Sequence, residues 1–423
     1  MLYERRNQNN KQPDLSMTET PPSHPLLFTP MKLRELEVAN RIIASPMCQY
    51  RSEDGGPNDW HVMHLGRLAI GGCGIVFGEE TAVEPAGRKT YACAGMYTPS
   101  HPAAYRRLTD VIKANGSVPA IQLGHSGRKG SCHGAIENWR PLEPRDGAEG
   151  LAPWQVMTPS ADNCPPRPIY PKEMDRGDIK HVIEAFRTAT KMSLDAGYDI
   201  VEIHGAHGYL IHQFLSSTSN QRTDGYGGSL QNRLRFAIEI AEAVRDTWPK
   251  DKPVFFRLSA VDGKGGSWSL AESIALAKAL KTVEIDMIDV SSGGVMGTSN
   301  MPMVPRLPAY QAEFSKRIKH QAGVKTIAVG GITKAQQAED ILQAGQADMV
   351  ALARELLWNA DWPAHAAKTL GLDDPFAYLP EGYAHRLRLR ESQKELQINQ
   401  DPELIAASLN YFLDEVDANK ASS

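Results

Sequence analysis

The sequence is poor in cysteine, and its cysteines show no arrangement that points to a bridge or a metal. They are odd in number and include no Cys-x-x-Cys pair; the five are Cys48, Cys73, Cys93, Cys132 and Cys164. This argues against a disulfide framework, a structural zinc site and an iron–sulfur cluster. Free thiols persist in reducing compartments, so we expect a cytoplasmic protein.

Long apolar runs and an excess of positive charge are also absent. No stretch reaches the roughly 18 consecutive apolar residues that a membrane span needs, and residues 1–24 are polar, without the apolar segment of a secretory signal. The net charge is −4 and the pI about 6.4, which leaves no electrostatic footprint for nucleic acid or an anionic membrane. We therefore expect neither as a partner, and residues 1–24 are predicted to be a disordered tail.

The composition is that of a globular protein with ample material for a core. The chain has 423 residues, of which 41% are hydrophobic and 23% charged. Short apolar, β-branched-rich runs alternate with helix-compatible segments. The eight predicted strands are Arg41–Ser45, Gly74–Glu79, Val118–Leu123, Asp199–Ile203, Val254–Leu258, Met287–Ser291, Thr326–Val329 and Met349–Leu352. Eight buried strands, each followed by a helix, predict an α/β fold of the (β/α)8 TIM-barrel type.

Four segments have the clearest helical periodicity, and they are predicted over Asp178–Ala196, Leu230–Thr247, Leu270–Lys281 and Lys334–Ala344. Asp178 and Thr333 are predicted N-caps, and Gly197 and Gly345 are predicted C-terminal stops. The gap between the third and fourth strands is the longest. Residues 130–175 there are rich in Pro, Gly and Trp, and an excursion of this length predicts a lid or cap.

The chain shows no internal repeat and no second core. We expect the polar tail over 1–24, a barrel over 25–365 and a helical C-terminal tail over 366–423.

Chemically versatile residues gather where the predicted strands end. The most informative stretch is His204-Gly-Ala-His207-Gly-Tyr209, which follows the fourth strand directly. In parallel α/β folds ligands bind at the carboxyl ends of the strands, so this stretch is predicted to form the floor of an active site. The other strand ends carry Ser45–Tyr50, Gln122–Arg128, Arg257, Ser291–Gly294, Gly330-Gly331 and Ala353-Arg354. Glycines and amides after the seventh and eighth strands are typical of a phosphate-binding corner.

Five motifs in order resemble the old yellow enzyme family. They are Ser45–Tyr50, Gln122–Lys129, His204–Leu210, Ser219–Ser229 and Ala353–Leu357. The resemblance runs from about Leu27 to Pro363, and the pair of Cys48 and Tyr50 resembles the thermophilic-like bacterial branch. Five motifs in register are a far more specific signal than one glycine pattern.

The resemblance implies an FMN-containing barrel that takes hydride from NADPH or NADH. It further implies delivery of that hydride to the β-carbon of an activated alkene, such as an α,β-unsaturated carbonyl or nitro compound. A homo-oligomer, a dimer or a tetramer, is expected by similarity only. The cofactor-binding residues implied are Ser45, Pro46, Met47, Cys48, Glu80, Gln122, Gly294, Gly331, Ala353, Arg354 and Arg257, the last of which stabilises negative charge on the reduced ring.

The same resemblance assigns roles toward the substrate. His204 and His207 would donate hydrogen bonds to its carbonyl or nitro oxygen. Tyr209 would protonate the α-carbon as general acid. Cys48 would touch the flavin and tune its potential, and Tyr50 would contact the substrate oxygen. Further along the chain, Arg386 would line a neighbouring subunit's pocket.

Among the departures from the family pattern, two concern cofactor-binding residues. Glu80 stands where a small residue is usual, which matters if its carboxylate faces the flavin. Ala353 stands where glycine is usual, which an amide contact tolerates if φ is negative.

Three alternatives stay open. Histidines three apart also have metal-ligand spacing, which would fit a metal-dependent barrel hydrolase or lyase. Within flavin chemistry, the chain could be a catabolic enzyme dedicated to one substrate. It could also be a catalytically silent, cofactor-binding partner protein.

Overall fold

A computed structural model describes residues 24–161, 164, 167–295 and 304–393, together with 403, 405–407, 409 and 410. Its strands in chain order are β1 (Met31–Leu33), β2 (Leu36–Val38), β3 (Ile42–Ala44), β4 (Ile75–Ala82), β5 (Val118–Gly124), β6 (Met157–Thr158), β7 (Lys172–Glu173), β8 (Ile200–Gly205), β9 (Val254–Ser259), β10 (Met287–Ser291), β11 (Lys325–Val329) and β12 (Met349–Leu352). The predicted tail over 1–24 lies, but for its last residue, outside the described residues.

Eight of these strands close into a barrel, as predicted. The order around it is β3, β4, β5, β8, β9, β10, β11 and β12, with β12 pairing back to β3, and each neighbouring pair is parallel. β1 and β2 form an antiparallel hairpin beside the barrel, and β6 pairs with β7 in a two-stranded parallel sheet. Each predicted strand coincides with one barrel strand, and the bounds of the sixth and eighth match fully.

Helices separate the barrel strands. They are α1 (Asp59–Ile70), α2 (His101–Ala114), α3 (Arg176–Asp195), α4 (Leu210–Leu215), α5 (Leu230–Thr247), α6 (Leu270–Thr282), α7 (Ala312–Ala322), α8 (Ala335–Gln343), α9 (Arg354–Trp358), α10 (Trp362–Thr369) and α11 (Glu381–Ser392). Of the helices in the described residues, none is both long and apolar enough to cross a membrane.

Both predicted N-caps are wrong, whereas both predicted glycine stops are confirmed. Asp175 caps α3 instead of Asp178. The Asp175 carboxylate accepts from the Asp178 amide at 2.9 Å, and the Asp178 carboxylate accepts from the Asp175 amide at 2.9 Å, so Asp178 is the third residue of a capping box. Lys334 precedes α8 without a side-chain cap, and Thr333 lies one residue earlier. Gly197 and Gly345 follow α3 and α8 with φ of +87° and +62°, which favour glycine.

The barrel interior changes character from one end to the other. Near the amino ends of the strands it is apolar, with Ile75, Ala120, Ile200, Phe255 and Met287 in one cluster of buried side chains. Side chains two residues apart on a strand point to the same face. The next inward positions on β5, β8, β9 and β10 are therefore Gln122, Glu202, Arg257 and Asp289, all buried. The second layer of the barrel is polar and charged, and it lies toward the carboxyl ends.

The excursion between β5 and β8 contains more structure than predicted. It carries the β6–β7 pair and 3-10 turns at Ala135–Glu137 and Pro144–Glu149. Within it, the ring of Trp139 packs edge-on against Tyr50, with ring centres 5.4 Å apart. Part of the excursion therefore lies against the carboxyl end of β3, where a lid would act. The lid role itself stays a prediction, and Pro165 and Pro166 lie outside the described residues.

Candidate active site

The loop after β8 turns sharply and packs against the loop after β10. His207 and Gly208 have φ of +59° and +72°. A Cβ at position 208 would lie 2.2 Å from the Gly294 carbonyl oxygen, and a Cβ at position 294 would lie 2.4 Å from the His207 backbone. The two loops can approach this closely only because both positions are glycine. Lys129 Nζ donates to the His207 carbonyl at 2.8 Å and also to the Gly294 carbonyl, which holds the two loops together.

His204, His207 and Tyr209 form one group at the mouth of the barrel, which is its opening at the carboxyl ends of the strands. The ring centres of His204 and His207 are 5.0 Å apart, and those of His204 and Tyr209 are 4.9 Å apart. His204 Nε2 lies 3.4 Å from His207 Nδ1. On its other side, His207 Nε2 lies 2.7 Å from Ser291 Oγ. Two ring nitrogens therefore converge on one place, where a single oxygen can accept from both.

Both histidines are neutral at ordinary pH. Burial, followed by the charge of the partner imidazole and of Arg257, holds the pKa of His204 well below its usual value. Burial and then Arg257 do the same for the pKa of His207. A neutral imidazole has one N–H and one acceptor nitrogen. If Ser291 donates to His207 Nε2, the N–H of His207 is on Nδ1, the nitrogen that faces His204.

A charged layer lies directly below this group. On the strand ladder His204 and Asp289 both neighbour Arg257, and Gln122 neighbours Glu202. Arg257 Nε lies 3.4 Å from Asp289 Oδ2, and Arg257 Nη1 donates to Ser45 Oγ at 3.2 Å.

Burial governs the two carboxyls of this layer. Gln122 Nε2 donates to Glu202 Oε1 at 2.7 Å. Burial, with the negative charge of Asp289 added, raises the pKa of Glu202. Burial likewise raises the pKa of Asp289, although Arg257 opposes the shift.

The residues at the mouth fit FMN. Among the described residues, Arg257 Nε, Glu202 Oε2, His204 Nδ1 and Glu80 Oε1 are buried without a hydrogen-bond partner. Buried polar atoms are normally satisfied, so a set of them around one mouth indicates a polar ligand. Gln122 and Arg257 supply an amide and a cation for the pyrimidine edge of a flavin, which has both donors and acceptors and becomes negative on reduction.

Cys48, Tyr50 and Glu80 meet on one wall of the mouth. The Glu80 carboxylate, unlike the small residue usual in the family, forms an ion pair with Lys89, with Oε2 2.6 Å from Nζ. Lys89 also donates to Cys48 Sγ at 3.0 Å. Burial raises the pKa of the Cys48 thiol to about 12, with Lys89 opposing the shift. Cys48 is therefore a thiol at ordinary pH.

The predicted phosphate corner lies at the ends of β11 and β12. Gly331 has φ +69°, and a Cβ there would lie 2.8 Å from the Leu307 carbonyl oxygen. Ala353 has φ −119°, the negative value that allows alanine in place of glycine. Arg354 begins α9 immediately after it. Pro46 and Met47 follow β3 at the same end of the barrel.

Arg386 is not brought to this mouth. It is exposed on α11, in a groove of about 500 Å³ between α10 and α11 that is also lined by Asp361, Lys368 and Tyr383. No residue of the barrel mouth lines that groove. Its assignment therefore depends on a neighbouring subunit.

Among the described residues, no group of three His, Cys, Asp or Glu side chains is arranged to hold a metal ion. The open alternative of a metal-dependent hydrolase thus lacks a third ligand beside His204 and His207 within that part of the chain.

Strand periodicity indicates two site residues that the predicted site did not include. Glu202 and Asp289 interrupt apolar strands, two residues before His204 and Ser291 respectively, so strand periodicity places each pair on one face. The buried pair of His212 and Asp262, 2.9 Å apart, also supports the loop, because His212 Nδ1 accepts from the Gly208 amide. Lys89 lies in a loop and had no such signal.

Comparison with known proteins agrees with this geometry. The model of the NADH:flavin oxidoreductase / NADH oxidase family matches residues 26–373. The chain belongs to this family. It is an oxidoreductase with FMN as its cofactor, and the resemblance to old yellow enzymes is confirmed.

Individual relatives are similar over most of their length. An NADPH dehydrogenase of Geobacillus sp. (strain WCH70) is 40% identical over 348 residues, which are 82% of this chain and 95% of that protein. An NADPH dehydrogenase of Bacillus subtilis (strain 168) is 38% identical over 351 residues, 82% of this chain and 96% of that protein. The solved old yellow enzyme homologue of Zymomonas mobilis shares the fold with a TM-score of 0.67, at 23% identity, over 85% of this chain and 99% of that one.

Removal of the Arg257 charge should weaken FMN binding. We expect Arg257→Met combined with Asp289→Asn to raise the Kd for FMN about 10- to 100-fold, because charged hydrogen bonds contribute roughly 1.5–3 kcal/mol. Both residues are changed so that the buried Asp289 carboxylate is not left without its cation. Quenching of FMN fluorescence by FMN-free protein measures the Kd.

A matched control is Arg34→Met with Asp286→Asn, an ion pair of 2.6 Å that joins the β1–β2 turn to the residue before β10, at the amino end of that strand. Equal FMN affinity in both paired variants would contradict the placement of Arg257 at the cofactor.

Proposed function

We propose that the protein is an ene-reductase that uses NADPH or NADH to reduce activated alkenes, such as α,β-unsaturated carbonyl and nitro compounds. The observation that carries the proposal is the convergence of His204 Nε2 and His207 Nδ1, 3.4 Å apart, beside the Tyr209 ring. Neutral imidazoles at this spacing suit one oxygen that gains negative charge during reaction.

The cofactor, when bound, supplies the hydride chemistry. The chain's own residues do the rest. His204 and His207 hold the substrate oxygen and favour charge there, which makes the β-carbon electron-poor. Tyr209 holds a proton, because burial raises the pKa of its hydroxyl, and it gives that proton to the α-carbon. Cys48 and Tyr50 line the same wall of the pocket.

The reductant and the compartment are proposed on other grounds. The family name and the names of the curated relatives point to a nicotinamide dinucleotide as hydride donor. The five cysteines are free thiols, which agrees with the proposed cytoplasmic setting.

Tyr209→Phe should separate the two halves of the reaction. Reduction of bound FMN by NADPH should keep its rate, whereas reoxidation by an activated alkene should slow about 100-fold or more, since general acids contribute roughly 10²–10⁴-fold. Stopped-flow absorbance under anaerobic conditions measures both. Tyr226→Phe is the control, because Tyr226 donates to Glu239 at 2.9 Å, away from the mouth. If both half-reactions slow equally in Tyr209→Phe, the assigned role is wrong.

We also propose that the protein is a homo-oligomer and that Arg386 contacts substrate in a neighbouring subunit. Its exposure on α11, in a groove that no mouth residue of its own chain lines, supports this arrangement. An arginine there would favour anionic or strongly polarised substrates.

Arg386→Ala should raise KM for a carboxylate-bearing alkene about 10-fold and leave KM for NADPH unchanged. Steady-state kinetics with one anionic and one neutral alkene measures the difference. Unaltered kinetics toward both alkenes would contradict the proposal.

A further inference from the structure

A buried ion pair lies beside the catalytic group, and the scheme above gives its lysine no role. Lys89 and Glu80 have side chains only 3% and 5% exposed, and Lys89 Nζ lies 2.6 Å from Glu80 Oε2. Burying two charges costs several kcal/mol per ion unless the geometry and added hydrogen bonds compensate. Glu80 also requires space on β5, because a Cβ at position 124 would lie 2.3 Å from its Oε1. Because burial of this ion pair costs free energy and requires a glycine at position 124, we expect the pair to have a function in the site.

The ammonium of Lys89 faces the residues that line the mouth. It donates to Cys48 Sγ at 3.0 Å. It lies 5.0 Å from the centre of the Tyr209 ring and 5.9 Å from that of Tyr50. Glu80 therefore binds one side of the ammonium, and the thiol and the two phenol rings are its other neighbours on this wall.

We propose that Lys89, oriented by Glu80, is a positioning residue for the protonation step: its ammonium stabilises the phenolate that Tyr209 becomes when it gives up its proton. The inference rests on the proposed function, in which Tyr209 is the general acid. In that step the O–H bond of Tyr209 breaks and a C–H bond forms at the substrate α-carbon. The O–H electron pair stays on the phenolate oxygen, which later recovers a proton from water.

The electrostatics of the wall agree with this role. Burial raises the pKa of the Tyr209 hydroxyl, and Lys89 is the first influence that opposes it. Burial opposes the charge of Lys89, but the Glu80 carboxylate at 2.6 Å favours it, and the pKa of Lys89 ends well above its usual value. A permanent cation beside a buried phenol favours loss of the phenolic proton, because opposite charges attract strongly where water is excluded.

The test compares half-reactions in paired variants. Lys89→Met with Glu80→Gln removes both charges and leaves no lone carboxylate. We expect reoxidation by the alkene to slow about 10- to 100-fold relative to reduction by NADPH, with a larger solvent deuterium isotope effect on reoxidation. Lys252→Met with Asp199→Asn is the control, since that pair, 2.7 Å apart, lies at the amino ends of β8 and β9. It should change neither rate.

Tyr209→Phe in the same background decides whether Lys89 acts through Tyr209. The effect of the paired variant should vanish there, because no phenolate forms. Equal slowing with and without the Tyr209 hydroxyl, or equal slowing of both half-reactions, would overturn the inference. Failure of the proposed function looks different: Tyr209→Phe alone would then leave reoxidation unchanged, and the inference would fall with it.

A second readout needs no cofactor. In FMN-free protein, Lys89→Met with Glu80→Gln should slow alkylation of Cys48 by iodoacetamide about 10-fold, because a nearby cation favours the reactive thiolate. Peptide mass spectrometry distinguishes Cys48 from the other four cysteines. An unchanged rate would show that the ammonium does not act on this wall, and would count against the proposal.

Discussion

Burial of ionisable side chains at the carboxyl end of the barrel is the constraint on which the site depends. Glu202, Arg257 and Asp289 lie in the second layer of the interior, where an ordinary core would be apolar. Parallel strands supply the backbone hydrogen bonds that hold this layer, and the apolar layer beneath it isolates the charges from water. The charge of Arg257 then helps keep His204 and His207 neutral, and a neutral imidazole still has one N–H to donate to an oxygen that gains negative charge.

Some polar atoms in this layer have no hydrogen-bond partner, which lowers the stability of the fold but leaves them available to bind a ligand. Arg257 Nε, Glu202 Oε2 and His204 Nδ1 are buried without hydrogen-bond partners in the described residues. Each such atom costs roughly 1–3 kcal/mol of folding free energy when nothing contacts it. A bound flavin can satisfy several at once, so its binding should stabilise the folded chain as well as supply its chemistry.

Local sequence patterns predicted the barrel because each strand is a short buried run between helical segments, and the site because its residues cluster where those runs end. The resemblance then supplied FMN and the roles. Predictions from local patterns were wrong or incomplete where contacts between residues distant in the sequence determine the structure. Asp178 looks like an N-cap, but the backbone turns three residues earlier, at Asp175. Lys89 lies 41 residues from Cys48, and only the folded chain brings the two together. Trp139 contacts Tyr50, and no local pattern links the two residues.

The central claim is that FMN lies in the barrel mouth beneath an oxygen held by His204 and His207. A crystal structure of the protein with FMN and a soaked phenol tests it most directly. The account predicts the phenol oxygen within hydrogen-bond distance of both His204 Nε2 and His207 Nδ1, its ring stacked on a flavin whose pyrimidine edge contacts Gln122 and Arg257. A flavin bound elsewhere, or a phenol oxygen that contacts neither histidine, would contradict it.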